Sequence, residues 1–400
     1  MARPKVARAT IAVLIAITAL GPMSMQIFVP ALPAIQRGFG VDPGTAQLAL
    51  SLSMVSIALA TLIYGPLSDR YGRKPVLIVG LMLGAAGGAL CMIAPNIELL
   101  IVGRIVQGGG AAAGMVLARA IVRDLFGSLH AAAVLAYLTM AMVVAPMVAP
   151  AIGGVLIDAI GWRANFGFAA AVTGAVIVAV LARLEESHTE PSLTAGPTAM
   201  ARAFWRLLRL PMFRAYVFHG SMAMAMFFAL VAAGPYVVIE VMDRPATEYG
   251  LYFILISLGF MLGNFLSARL SIGVGANRMI VLGGTVSLLG VLLAVCLVGG
   301  LGWWTPLALF LPTTVAALGN GLSMPNTQAG AISVEPSITG AASGLMGFVQ
   351  MAIAALSAQL AGSLHDGSPY PMLAIMVITA LAGLAGFAAV LVLGRRAGRS

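Results

Sequence analysis

The densest group of charges and glycines in the sequence is the ten-residue run Gly-Pro-Leu-Ser-Asp-Arg-Tyr-Gly-Arg-Lys at positions 65–74. Gly65 would let a neighbouring helix approach closely, and Gly72 would permit a tight turn. Asp69 can pair with a basic side chain or cap a helix N-terminus. The basic residues of the run are Arg70, Arg73 and Lys74. This combination in so short a segment predicts a latch between moving helices.

A second candidate is Arg104, which lies inside a long apolar segment. An arginine at that depth is costly and normally faces an interior cavity or a partner, so its position predicts a functional role. The alternative is a structural ion pair or bonds to backbone carbonyl groups. Arg119 lies nearer the end of the same segment and could extend its charged group to the membrane surface.

Groups that could carry a proton lie at the ends of apolar segments. The acidic ones are Asp42, Glu98, Asp158 and Glu240. Glu240 is the first candidate, because Pro235 is expected to break the helix just before it and place it at the mouth of a cavity. A solvated loop acid is the alternative. His219 could also titrate, although a lone histidine there more often packs between helices.

The elements that position these residues are membrane spans. The chain has 400 residues, of which 60% are hydrophobic and 9% charged, a composition that excludes a soluble enzyme. A span needs about 20 apolar residues. Apolar runs between polar breaks predict twelve spans near 10–32, 46–67, 75–95, 98–122, 133–157, 163–184, 213–236, 249–269, 277–299, 303–326, 338–363 and 371–394.

The charge distribution predicts how these spans are oriented. The net charge is +9, but the basic residues occupy short gaps between apolar runs, which indicates topology rather than a nucleic-acid partner. With the N-terminus in the cytoplasm, the outer loops carry only three basic residues, Arg37, Arg163 and Arg244. This asymmetry predicts that both termini are cytoplasmic. Cys91 and Cys296 lie in apolar runs and offer neither a disulfide framework nor a metal site.

The long polar interruption halfway along the chain predicts three parts: an N-terminal six-helix bundle at 1–184, a cytoplasmic linker at 185–212 and a C-terminal six-helix bundle at 213–400. Leu-Ser-Asp-Arg at 67–70 is matched by Leu-Ser-Ala-Arg at 266–269, in the equivalent loop of each half. Such weak internal symmetry is typical of transporters built from repeats. Within the linker, residues 201–210 read as a basic helix on the inner membrane face, or alternatively as ordinary solvated chain.

The run at 65–74 resembles the loop signature G-x-x-x-D-R-x-G-R-K of the major facilitator superfamily. Arg104, Gln107 and Gly108 resemble its R-x-x-Q-G motif. Pro150, Gly153 and Gly154 resemble the antiporter motif G-P-x-x-G-G, with Ala149 in place of the first glycine. Three further segments, Pro-Ala-Leu-Pro-Ala-Ile at 30–35, Met-Pro-Asn at 324–326 and Gly-Ala-Ala-Ser-Gly at 340–344, are similar to the Bcr/CflA group of drug:proton antiporters. The resemblance covers residues 10–394.

The resemblance implies an all-α, twelve-span transporter of two pseudo-symmetric six-helix bundles in the bacterial inner membrane. Its cavity would open alternately to each side. Asp69 would help to lock one state together with basic residues such as Arg123, and Arg104 would influence proton movement. The expected partners are a drug-like small molecule, protons and membrane lipid. The chain is expected to act as a monomer, with no cofactor, metal or nucleic acid.

One departure from the group concerns the first span, where relatives usually carry an acid in D-x-Y-L-P-A-L-P. Here the first residue of that pattern is Gln26, which can bind substrate but cannot titrate. Polar groups, aromatic rings and a methionine that can adapt to varied ligands are expected in the substrate cavity. These candidates are Gln26, Phe28, Gln107, Met226, Phe227, Asn320, Asn326 and Gln350.

Together these features predict a secondary active exporter of lipophilic drugs or related small molecules, coupled to proton antiport, and not an enzyme. The sequence has no G-x-x-x-x-G-K-[ST] run for ATP, so the energy would come from a gradient. Its histidines are scattered, without the constellation that an integral-membrane enzyme needs. Because Gln26 replaces the usual acid, a proton-independent facilitator or an exporter of a specific metabolite remains the alternative.

Overall fold

The computed structural model of the chain describes residues 8–187 and 197–397, and side chains within these ranges except at 127–133, 197–199 and 393–397. Across the described residues, twelve helices are long and apolar enough to cross a membrane. The predicted all-α, twelve-span fold is therefore confirmed. Spans 1–6 are Arg8–Phe39, Pro43–Tyr71, Arg73–Ile93, Ile97–Phe126, Val134–Ala159 and Arg163–Arg183. Spans 7–12 are Pro211–Val241, Ala246–Val274, Ala276–Gly300, Pro306–Ser333, Pro336–Ser363 and Tyr370–Val392.

Several span boundaries differ from those expected. Span 1 continues to Phe39 instead of ending near residue 32. Spans 4 and 5, predicted near 98–122 and 133–157, lie in one continuous helical stretch, Ile97–Ala159. The backbone between the two spans therefore keeps its helical hydrogen bonds.

The chain divides into two compact units. The first comprises Met1–Val41 and Leu48–Thr194, and the second comprises Asp42–Gln47 and Ala195–Ser400. The division falls inside the linker expected at 185–212, whose boundaries stay a prediction. Within that linker the helix Pro197–Leu208 packs Leu207 into the core of the second unit and leaves Trp205 62% exposed. The position of this helix on a membrane surface also stays a prediction.

Each unit pairs its helices in the same pattern. Span 3 packs on spans 4 and 6 in the first unit, and span 9 packs on spans 10 and 12 in the second. Glycines make both pairs tight: a Cβ at Gly84 would touch the backbone of Gly110, and one at Gly283 would collide with the carbonyl of Gly319. Small residues let helix backbones approach closely, and lipid-embedded helices rely on that packing because apolar burial gives them little drive to associate.

Span 1 changes its helical form where the candidate residues begin. The α-helix Arg8–Gln26 is followed by a 3₁₀ turn at Val29–Ala31 and a short helix, Leu32–Phe39. Pro30 has no N–H to donate to the carbonyl group of Gln26, which explains the interruption. The carbonyl group of Ile27 accepts instead from Asn165 Nδ2 at 2.9 Å.

The antiporter-like motif of span 5 packs against this interruption. A Cβ at Gly153 would collide with the carbonyl of Ile27, so only glycine fits there without movement of span 1. Pro150 and Gly154 are buried beside it. The motif therefore holds span 1 in the form that positions Gln26 and Phe28.

Span 7 does not end where expected. The prediction that Pro235 breaks the helix before Glu240 is wrong, because the chain continues in a π-helical turn, Tyr236–Val241. A proline removes one backbone donor, but here the backbone stays helical on both sides of Pro235. Glu240 thus lies in the last turn of span 7, with its side chain exposed.

Candidate functional site

The centre of the candidate site is Arg104 in span 4, which is 1% exposed. Its Nη1 donates to Gln107 Oε1 at 2.6 Å and to the carbonyl oxygen of Ser24 at 3.2 Å, and its Nε donates to the carbonyl oxygen of Ala49 at 3.3 Å. The guanidinium carbon lies 3.8 Å from the centre of the Phe28 ring. Arg104 therefore joins spans 1, 2 and 4 in the first unit.

The charge of Arg104 is balanced by dipoles and an aromatic face rather than by an acid. Of the acidic residues whose side chains are described, none is buried. Carbonyl oxygens and the negative face of a ring are partial charges, and burial of a full charge normally requires an ion pair. The interior of the described chain thus holds a cation without a buried carboxylate.

Two buried polar atoms in this region have no protein partner among the described residues: Nη2 of Arg104 and Oε1 of Gln26. A narrow recess beside the guanidinium is lined by Gly21, Ser24, Met25, Ser53, Ile57, Arg104, Gln107, Gly108 and Ala111. An unsatisfied buried donor costs free energy unless a ligand or water completes it. The structure therefore brings Arg104, Gln107 and Phe28 together and leaves one buried guanidinium nitrogen without a protein partner.

The polar cavity candidates of the second unit differ in whether other protein groups satisfy their hydrogen bonds. Asn320 donates to the carbonyl of Ala223 at 3.4 Å and accepts from Ser287 Oγ at 3.2 Å. Asn326 Nδ2 donates to Ser267 Oγ at 2.8 Å. Both asparagines therefore join span 10 to neighbouring helices. Gln350 in span 11 is buried, and its Nε2 finds no acceptor in the described part of the chain.

The apolar candidates of span 7 are placed differently. Met226 is buried in the helix packing at 3% exposure. Phe227 is partly exposed, and its ring meets Phe228 at 5.2 Å and Phe253 at 6.1 Å between centroids. Phe227 is therefore the more accessible of the two for a ligand.

The charged run between spans 2 and 3 forms an ion-pair cluster around Arg73. Its Nη1 meets Asp69 Oδ1 at 2.5 Å and donates to Ser68 Oγ at 2.6 Å, and its Nε meets Asp124 Oδ2 at 3.0 Å. Arg123 lines the adjacent cavity of about 360 Å³ with Gly65, Asp69, Arg73, Val116, Ala120 and Asp124. The cluster therefore ties the end of span 2 and the start of span 3 to the end of span 4.

Other residues of the run at 65–74 act through their backbone groups or are exposed. Gly72 has a φ of +91°, which favours glycine, and it begins the helix of span 3. A Cβ at Gly65 would meet no described atom within 4 Å, so the close helix approach expected there is wrong for this structure. Arg70 is exposed beside Tyr71, and Lys74 contributes its backbone N–H to a cap.

That cap comes from Glu186, which lies in the segment predicted to be a linker. Its Oε1 accepts from the backbone N–H of Arg73 at 2.9 Å and its Oε2 from that of Lys74 at 3.0 Å. A carboxylate at a helix N-terminus satisfies free N–H groups and opposes the helix dipole. Glu186 and Asp124 are thus parts of the cluster that sequence reasoning missed, since only the distant end of span 6 brings Glu186 there.

The remaining titratable groups lie near the span ends. His219 Nδ1 lies 3.1 Å from the carbonyl oxygen of Gly383 in span 12, which fits the helix-packing role. Between spans 1 and 2, the hydroxyl and N–H groups of Thr45 donate to Asp42 and lower the pKa of this carboxyl. Between spans 11 and 12, burial lowers the pKa of His365, while Asp366 acts in the opposite direction. In the described residues, no group of three His, Cys, Asp or Glu could hold a metal ion.

Comparison with known proteins gives a family match over most of the chain. Residues 14–358 match the family model described as Major Facilitator Superfamily. Among solved structures, a peptide transporter POT in complex with alafosfalin aligns with a TM-score of 0.78 over 98% of this chain and 95% of its own, at 17% identity. A bacterial homologue of the human lysosomal transporter Spinster aligns with a TM-score of 0.74 at 14% identity. At these identities the alignments show the shared fold alone.

Curated relatives match most of the chain. The bicyclomycin resistance protein homolog of Haemophilus influenzae is 29% identical, covering 91% of this chain and 92% of the relative. Multidrug resistance protein D of Escherichia coli is 26% identical, covering 87% and 88%. A chloramphenicol resistance protein of Acinetobacter baumannii is 25% identical over 74% of this chain and 71% of the relative. These relatives confirm the resemblance to the Bcr/CflA-like subgroup.

Proposed function

Because this chain belongs to the Major Facilitator Superfamily and is a multi-pass membrane protein, we propose that it exports drug-like small molecules across the bacterial inner membrane by proton antiport. Both termini would be cytoplasmic, and the monomer would be the working unit. Membership of this family indicates a transporter rather than an enzyme.

The observation that carries this proposal is the set of relatives named for drug resistance, two of which match along about nine tenths of this chain. The geometry of the first unit is consistent with it. A buried guanidinium inside a transporter span is expensive and is retained where it binds or couples. The partnerless Nη2 of Arg104 is such a group.

For the coupling step, we infer that Glu240 takes up the proton and that Arg104 tunes the state of the site. Gln26 cannot titrate. Glu240 is exposed in the last turn of span 7, where outside protons would reach it in the orientation inferred from the loop charges. Supporting this assignment, the described interior holds no buried carboxylate that could take the role.

The same absence of a buried acid favours a second candidate function. A facilitator, or an exporter of one metabolite, would need no proton carrier in its interior. Gln26, with a buried and partnerless Oε1, would then serve only to bind substrate. The two functions differ in whether an imposed pH gradient drives transport.

Drug susceptibility of a pump-deficient bacterial host tests the proposed export directly. Expression of the chain should raise the inhibitory concentration of at least one of chloramphenicol, bicyclomycin, nalidixic acid and fusidic acid, and a protonophore should abolish drug extrusion from preloaded cells. Unchanged susceptibility despite verified membrane insertion would contradict drug export. Extrusion that persists with the protonophore would favour the second function.

Two variants, a test and its control, examine the role of the charged run at 65–74. Asp69→Asn removes the carboxylate that pairs with Arg73, and we expect it to insert normally but export poorly. Asp158→Asn changes an exposed acid at the end of span 5 and should export like the unaltered chain. Full export by the Asp69→Asn protein would contradict the latch role of residues 65–74.

A further inference from the structure

The buried charge in the described interior is positive, and the proposed function does not assign it a ligand. Among the described residues, Arg104 is the charged side chain that is buried, and every described acid is exposed or only partly buried at the end of a span or in a loop. Bonds within the protein account for Nε and Nη1 of Arg104 and leave Nη2 without a partner. A substrate group that reached this point would therefore meet a positive charge and an N–H donor that has no protein partner.

We propose that this transporter selects small molecules that carry a carboxylate, and that the carboxylate binds Nη2 of Arg104. This inference rests on the proposed function and specifies its substrate class. A carboxylate bonded to a guanidinium forms a charge-assisted hydrogen bond that is shorter and stronger than a neutral one. It would also supply the countercharge that this buried cation lacks.

Neighbouring side chains restrain the orientation of the Arg104 guanidinium. Gln107, one helical turn away, accepts from Nη1, and the guanidinium carbon lies 3.8 Å from the centre of the Phe28 ring. The narrow recess beside it is lined by small or hydroxyl-bearing residues such as Ser53 and Gly108, and also by the larger apolar side chains of Met25 and Ile57. A guanidinium restrained on two sides loses little further entropy when a ligand binds the remaining nitrogen.

A lipophilic cation fits this interior poorly. It would have to leave water and approach Arg104 with no described carboxylate in the interior to balance either charge. Like charges in a low-dielectric interior repel strongly, and such repulsion is an effective means of rejecting a wrong ligand. The arrangement thus favours acids over cations of similar size.

Equilibrium binding to the purified full-length chain tests this inference. The probes are two acids, nalidixic acid and fusidic acid, each compared with its neutral alkyl ester at pH 8, where the acids are ionised, and ethidium as the cation. The unaltered chain should bind each acid at least about tenfold more tightly than its ester, as expected for a buried charged pair. Arg104→Gln should abolish that preference, whereas Arg104→Lys should keep part of it.

Two further variants keep the test decisive if Arg104→Gln fails to fold. Gln26→Asp places a competing carboxylate on span 1 between Ser24 and Phe28, which both contact Arg104. It should weaken acid binding by about tenfold, leave the esters unchanged and improve ethidium binding. Arg119→Gln changes an exposed arginine of the same span and should preserve the acid preference.

Each result either supports or overturns the inference. Equal binding of acids and esters by the unaltered chain, or an acid preference that survives in both Arg104→Gln and Gln26→Asp, overturns it. Drug export together with equal binding overturns the carboxylate preference alone and leaves the transporter assignment in place. Absence of all binding and all export overturns both proposals.

Discussion

Arg104 and Phe28 form a pair whose contribution can be measured at the scale of single residues. A desolvated cation over an aromatic ring is stabilised by about 2 kcal/mol. The guanidinium carbon is 3.8 Å from the Phe28 centroid but 6.0 Å from that of Phe166. We therefore expect Phe28→Leu to lower the free energy of unfolding by about 1–2 kcal/mol and to reduce transport severalfold. Phe28→Trp, which keeps a stronger π face, should retain transport.

The control for this prediction is Phe166→Leu, which removes the more distant ring. Both variants lose ring packing, so their stabilities are compared by thermal unfolding of the purified proteins. Only Phe28→Leu should change ligand affinity, because only that ring lies directly against the guanidinium. Equal affinities for the two variants would show that the aromatic contact matters only for packing.

His365 gives the protein a dependence of stability on pH. It is partly buried, and its ring contacts that of Tyr236 in a tilted arrangement, with centroids 5.1 Å apart. Burial lowers the pKa of His365 below 6.5 in the folded chain, so the unfolded chain binds more protons in that range. Stability from this group is full above pH 6.5 and falls as the pH decreases through that value. Thermal unfolding between pH 8 and pH 5 should show this loss.

Two variants separate His365 from other titrating groups. His365→Gln should reduce the loss of stability on acidification, since glutamine does not titrate. Asp366→Asn should enlarge it, because Asp366 favours the protonated imidazole. If neither variant changes the slope of stability against pH, another group is responsible.

The sequence predicted which single residues were unusual but not what they contact. Arg104 is conspicuous because a charge in an apolar run is costly. Its acceptors on Ser24 and Ala49 are backbone carbonyl groups of other spans, and no pattern of side chains in the sequence predicts such contacts. Asn326 was expected in a cavity, but it bonds to Ser267 of the neighbouring span.

At the scale of elements, Glu186 connects the end of span 6 to the start of span 3. Its two oxygens accept from the first N–H groups of that helix, a capping arrangement that contributes about 0.5–2 kcal/mol. We expect Glu186→Gln to lower the free energy of unfolding by about 1 kcal/mol and to slow transport, because the ion pairs of Arg73 lie on the same turn. Thermal unfolding and drug export measure the two effects.

Glu185→Gln is the matched control, because the neighbouring carboxylate is exposed. Its stability and export should equal those of the unaltered chain. A Glu186→Gln protein as stable as this control would show that water replaces the cap without cost.

Apolar runs predicted the number of spans well because about 20 residues must cross the bilayer. They did not predict the end of span 7, because a proline in an apolar run can either end a helix or lie within it. Here the chain continues beyond Pro235 in a π-helical turn that ends at Val241. The Arg73–Glu186 cap joins residues 113 positions apart, a pairing that only the folded first unit brings about.

At the scale of the whole molecule, the two units repeat one pattern of helix pairs, and the short Leu-Ser-x-Arg repeat anticipated that duplication. The units differ in their buried charge. Arg104 belongs to the first unit, while the described part of the second unit buries no lysine, arginine or carboxylate side chain. Coupling that involved both units would therefore combine the buried cation Arg104 of the first unit with a titratable group at the end of a span in the second.

Glu240 is that group in our proposal, and everted membrane vesicles test it. An imposed pH gradient with an acidic lumen reproduces the outward-to-inward proton gradient of the cell, and it should drive drug accumulation by the unaltered chain. Glu240→Gln should lose this drive, because an amide cannot exchange a proton, while still equilibrating substrate in the absence of a gradient. Glu98→Gln, an exposed acid at the start of span 4, should accumulate drug normally.

Gln26→Asp completes this test, because it returns an acid to the position where relatives usually carry one. If Glu240 is the proton carrier, gradient-driven accumulation should not require an acid at position 26, and the double variant Gln26→Asp with Glu240→Gln should regain drive only if the two sites can substitute for each other. Gradient-driven accumulation by Glu240→Gln alone would contradict the assignment. Equal accumulation with and without a gradient in the unaltered chain would instead favour facilitated transport, which needs no proton carrier in either unit.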